Sequence, residues 1–95
     1  MPEMLFHIRW PDGATEQCYS PSLVIKDHLV VGASYDVAEF MQRSRTALTI
    51  ASDRVKEKYG FACSRAMGQL ARLESGARRF EAATDGGVTV TSFQE

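Results

Sequence analysis

The stretch that decides the fold is Met4-Leu5-Phe6-His7-Ile8-Arg9-Trp10-Pro11-Asp12-Gly13-Ala14-Thr15-Glu16-Gln17-Cys18-Tyr19. Met4, Phe6, Ile8 and Trp10 alternate with Leu5, His7 and Arg9, the period of two that gives a strand one apolar face. Pro11-Asp12-Gly13 then breaks the run. Proline presets φ for a turn and glycine is free to take a left-handed position, so the chain is expected to reverse tightly into Thr15–Tyr19. If Trp10 pairs with Ala14 across a three-residue loop with a glycine bulge, Phe6 falls opposite Cys18 and that cysteine joins the apolar face.

Downstream of the hairpin, Ser20-Pro21 offers an N-cap with proline at the first helical position, predicting a short helix over Pro21–His28. The β-branched pair Val24-Ile25 keeps a strand as the alternative for residues 21–31. From Ser34 a long amphipathic helix is expected. Ser34 is the candidate cap and Asp36 suits the positive end of the helix dipole. Val37, Met41, Ser44, Leu48, Ala51, Val55 and Tyr59 recur at helical spacing up to Lys56, Lys58 and the stop at Gly60. A second stripe of Cys63, Ala66, Met67, Leu70, Leu73 and Ala77 follows a short connection, which predicts an antiparallel helical hairpin. Thr84-Asp85-Gly86-Gly87 reads as a turn and Val88–Phe93 as a closing strand joining the hairpin as its third member. The expected architecture is α+β: a small antiparallel sheet covered by the helical hairpin, in the order β-β-(short α)-α-α-β, as one domain over residues 1–95.

At 95 residues and 10.5 kDa, with 44% hydrophobic and 24% charged residues, the chain can bury one modest core. A core of this size often leans on a partner, so self-association into a homodimer is an open alternative. Two cysteines, outside any metal-binding spacing, fit a reducing cytoplasm better than a secreted disulfide scaffold. The start of the chain lacks the pattern of a signal peptide, and no stretch has the length of a membrane span. Net charge is −1 and the isoelectric point about 6.1, which argues against a dedicated nucleic-acid binder. The average conceals an asymmetry. Nine of the eleven Lys and Arg lie between Arg43 and Arg79 against three acids, a net +6, which leaves −7 for the remainder.

Among chemical groups, Cys63 opens the expected second helix, where the helix dipole lowers a thiol pKa, and it is the one candidate nucleophile. A nucleophile needs a base within reach, and His7 and His28 are the two available, so a structural role is the default for Cys63 and for Cys18. No metal site and no cofactor are assigned, since neither a Cys/His cluster nor a glycine-rich phosphate fingerprint is present. Arg65, Arg72 and Arg79 recur every seven residues, one line along the second helix flanked by the small residues Gly68, Ser75 and Gly76. That line is either a solvated face or a binding stripe for an anion. Ile50 falls among polar residues of the first long helix and is a candidate contact for a partner.

Three segments, Arg9-Trp10-Pro11-Asp12-Gly13, Cys18-Tyr19-Ser20-Pro21-Ser22 and Tyr59-Gly60-Phe61-Ala62-Cys63-Ser64, together with Ala51-Ser52-Asp53-Arg54-Val55, resemble a small bacterial family of nitrogen starvation response proteins. The resemblance implies genomic company: a nitrilase-type hydrolase, a radical-SAM protein, an acetyltransferase, a synthetase-like protein and a flavoprotein. It implies no catalytic residues. It favours a non-catalytic companion that binds or regulates one of those enzymes. In that reading the hairpin end around Trp10, Asp12, Tyr19 and Ser20 and the helix junction around Tyr59, Phe61 and Cys63 present the contact surface. An anion-binding regulator using Arg65, Arg72 and Arg79, and a small enzyme using Cys63, are the alternatives.

Overall fold

The computed structural model describes residues 3–60, 64–80 and 87–95. Its elements run β1 (Met4–Arg9), β2 (Thr15–Ser20), α1 (Ile25–His28), β3 (Ser34–Tyr35), α2 (Val37–Tyr59), α3 (Ser64–Arg78) and β4 (Val88–Gln94). The sheet is antiparallel with strand order β2-β1-β4-β3, an α+β architecture with the helical hairpin on one face.

The hairpin forms in the expected register. Phe6 lies opposite Cys18, the Trp10 amide donates to Ala14 O at 2.8 Å, and Gly13 takes φ +89°. Left-handed backbone of this kind is costly for a residue with a Cβ, so the loop fixes the register through its glycine. The alternation in β1 is read out as burial: Met4, Phe6, Ile8 and Trp10 are all within 2% of complete burial, while Arg9 on the other face is exposed. That outer face carries His7, Thr15, Gln17 and Ser92. β4 closes the sheet beside β1, with a bulge at His7/Ile8 where Thr91 Oγ1 donates to His7 O at 3.1 Å.

Three local expectations are corrected. The helix after the hairpin is one turn, Ile25–His28, and Ser20 does not cap it. Ser20 Oγ instead donates to Ser22 O at 2.7 Å and accepts from the Ser22 amide, a serine turn that lies ahead of the helix's N-cap position at Val24. Ser34 likewise does not cap α2. The cap is Asp36, whose Oδ1 accepts from the Glu39 amide at 2.7 Å, and Ser34 sits with Tyr35 in a fourth strand, opposite Thr89 and Val88. Finally, the Ala66–Ala77 stripe includes Gln69, 1% exposed, while Met67 is 39% exposed. α3 packs against β2 as well as α2, and its buried face is rotated to serve both.

The α2 stripe buries Phe40, Met41, Ser44, Ala47, Leu48, Ala51 and Ser52, and its last residue, Tyr59, is 54% exposed. Gly60 stops the helix at φ +86° as expected. Ile50 is half-buried rather than exposed. The connection at Phe61 and Cys63 and the turn at Thr84-Asp85-Gly86 lie outside the described residues. Among the described residues no helix is long and apolar enough to cross a membrane.

Candidate functional site

Trp10 is the pivot of the molecule. At the end of β1's apolar face, it meets Phe40 of α2 edge to face at 5.9 Å and stacks on Phe80 at 5.6 Å. A Cβ on Gly76 would stand 2.7 Å from the indole, so α3 can approach this closely only through a glycine. The indole nitrogen donates to Glu16 Oε1 at 3.0 Å. Trp10 therefore holds strand and helices together, and at 2% exposed it cannot present a contact surface. Ser20, fully buried, is excluded from that surface for the same reason. Asp12 is exposed, but its carboxylate accepts from the Ala14 amide at 3.0 Å and shapes the loop.

The arginine line lies along the seam between α3 and the hairpin. Arg65 sits 3.8 Å over the Tyr19 ring and 3.7 Å from Glu3, whose carboxylate also takes the Tyr19 hydroxyl. Arg79 lies 5.8 Å from the Trp10 ring and 5.2 Å from that of Phe80. Arg72 donates to Gln69 Oε1 at 3.1 Å, an oxygen that also accepts from the Tyr19 amide at 3.0 Å. Two of the three guanidiniums thus cover aromatic rings, and the space above Gly76 belongs to Trp10 rather than to a ligand. Tyr59, the remaining aromatic candidate, carries Lys58 over its ring at 5.6 Å. Phe61 and Cys63 lie outside the described residues.

Cys18 has no means of acting as a nucleophile. It is fully buried, its thiol faces the Glu16 carboxylate at 4.0 Å, and burial followed by that negative charge pushes its pKa far up, against a smaller opposing pull from Arg72. His7 is on the opposite face of the sheet and cannot serve it as a base. His28 lies at the end of α1, in a shallow cleft with Glu39, Gln42, Arg43 and Thr46. No group of three or more metal-ligating side chains occurs among the described residues.

One concavity among the described residues was not legible in the sequence. It is a groove of about 570 Å³ between the start of α2 and the end of α3, floored by Val37, Met41, Ala77 and Phe80. Asp36, Arg45, Glu74 and Arg78 stand on its rim, with Arg45 paired to Glu74 across the two helices at 3.4 Å. Arg78 is exposed and makes no ion pair among the described residues. The only hint was that Val37, Met41 and Ala77 belong to stripes whose ends must meet when two helices run antiparallel.

A four-stranded antiparallel sheet backed by a helical hairpin, with an apolar-floored groove between the helices, is the frame of a small α+β protein. The chain belongs to the NitG family, described as nitrogen starvation-induced protein NitG, whose family model matches residues 5–93. The family resemblance carried by the Trp10, Tyr19 and Gly60 segments is thereby confirmed, and with it a role related to nitrogen starvation. No curated protein and no solved structure matches the chain.

Proposed function

We propose that this protein serves the nitrogen starvation response as a non-catalytic companion that binds an enzyme encoded in the same gene cluster, and that the α2/α3 groove is where it binds. The groove carries the reading. Its apolar floor and charged rim have the anatomy of a protein contact, with a hydrophobic centre for affinity and outer charges for register. The surface expected at the hairpin end loses Trp10 and Ser20 to the core, which moves the weight of the argument to the groove. The one enzymatic alternative rests on Cys63, and the arginine stripe has Arg65 and Arg79 engaged with aromatic rings.

Affinity capture from nitrogen-starved cells tests this, with the Ala38→Glu/Arg78→Glu double variant alongside. Both positions are exposed on the groove wall, and a glutamate at Ala38 suits the first turn of a helix, so the fold should persist. The expected result is a cluster-encoded enzyme retained by the unaltered protein and lost by the variant. Absence of every such enzyme, or equal retention by the variant, would sink the proposal.

A further inference from the structure

A second cleft, of about 420 Å³, opens between β2 and α3 and is lined by Glu16, Gln17, Ala71, Arg72 and Ser75. Its two walls carry opposite charges, a carboxylate from the strand and a guanidinium from the helix. Among the described residues, neither forms an ion pair with the other or with any third side chain. Opposite charges on flexible side chains across a cleft ordinarily swing together. Here each is tethered from behind by a neutral hydrogen bond to a buried residue.

Glu16 Oε1 accepts the indole N–H of Trp10 at 3.0 Å, and Trp10 is 2% exposed. Arg72 Nη2 donates to Gln69 Oε1 at 3.1 Å, and Gln69 is 1% exposed. The same oxygen takes the Tyr19 amide, while Gln69 Nε2 is buried without a hydrogen-bond partner among the described residues. The fold thus tolerates an unsatisfied donor while Gln69 Oε1 holds Arg72 to the edge of β2. These tethers orient the two ions without neutralising them. A carboxylate keeps further lone pairs and a guanidinium further N–H groups for another molecule.

We propose that this cleft binds a small zwitterion of the free α-amino acid class, its ammonium on Glu16 and its carboxylate on Arg72. A simple anion would gain Arg72 but be repelled by Glu16, and a simple cation the reverse, so one molecule bearing both charges fits where neither ion alone does. The volume suits a small ligand. Ser75 supplies a hydroxyl to the ligand's remaining polar groups, while Gln17 lines the cleft from the edge of β2 with its side chain on the outer face of the sheet. This site is separate from the α2/α3 groove, and it stands or falls independently of the enzyme-binding proposal.

The test is a titration of the whole ¹⁵N-labelled protein with each standard L-amino acid, up to about 10 mM, a range that captures millimolar affinity. At least one should move the amide signals of Gln17, Arg72 and Ser75 saturably. Its N-acetyl derivative, which lacks the ammonium, and its carboxamide, which lacks the carboxylate, should each bind roughly tenfold more weakly or worse, because each leaves one wall of the cleft facing no opposite charge. Glu16→Gln, which keeps an oxygen for the Trp10 indole, and Arg72→Gln should weaken the unmodified amino acid to the same degree. If no amino acid shifts these amides, or if the capped derivatives or the folded variants bind undiminished, the assignment is wrong.

Discussion

At the scale of single residues, Trp10 and Gly76 act as one unit. The indole is buried against Phe40 and Phe80, and the missing Cβ of Gly76 is what admits it. Gly76→Ala would place a methyl 2.7 Å from a ring hemmed in on its other sides. Overpacking of this kind costs about 1–3 kcal/mol, which the gain of about 1 kcal/mol in helix propensity offsets only in part. Urea denaturation should show the midpoint falling with the slope unchanged. Cys18 yields a second prediction. An ordinary thiol ionises at about 8.5, whereas burial and Glu16 keep this one protonated well above that in the folded protein. Below about pH 8 both folded and unfolded thiols are neutral, and the group adds no pH dependence. Above it the unfolded chain ionises while the folded chain does not, so stability falls by about 1.4 kcal/mol per pH unit. The difference in stability between the unaltered protein and Cys18→Ala should therefore shift with that slope above pH 9 or so and be flat at neutral pH.

At the scale of elements, α2 depends on a cap that local sequence places ambiguously. Ser34 and Asp36 both precede an apolar periodic run and both are cap formers, yet β4 recruits Ser34 and Tyr35 as strand partners and Ser34 Oγ meets Thr89 Oγ1 at 2.7 Å. Extended backbone through Tyr35 leaves Asp36 as the first residue whose side chain can reach back to the helix amides. Asp36→Ala should cost about 1 kcal/mol, within the usual range of about 0.5–2 for removal of a cap, while Ser34→Ala gives up only an exposed hydroxyl hydrogen bond. Thermal denaturation followed by circular dichroism separates the two. Equal losses would mean that the cap is shared.

At the scale of the whole molecule, charge and layer coincide. The basic span from Arg43 to Arg79 lies almost entirely on α2 and α3, the layer that forms the large groove, and the acidic excess lies in the rest of the chain. Under the proposed function, such a layer would steer an acidic partner toward the groove before any apolar contact forms. Association with the captured enzyme should accordingly slow several-fold between about 0.05 and about 0.5 M salt while dissociation changes little, because screening shortens the reach of the field and leaves the apolar floor untouched. Surface plasmon resonance measures both rates. A salt-insensitive association rate would show that the helical layer plays no part in the encounter.

The hairpin, its register, the two helices, the left-handed stop at Gly60 and the strand β4 are all written in local sequence. Each is a local matter of period two, period 3.6 or a glycine at positive φ, written within a few residues of where it acts. Whatever depends on elements distant in sequence emerged from packing. The short β3 exists because β4 offers it an edge, and the cap of α2 moves with it. Gln69 is buried because α3 must face β2 as well as α2, which no single-helix pattern reveals. Trp10 and Gly76 lie sixty-six positions apart in the chain, and their fit removes one from the candidate surface and the other from the candidate ligand path. Both clefts arise where side chains of separate elements are held at a distance, and a distance between elements is a property of packing, which sequence periodicity does not encode.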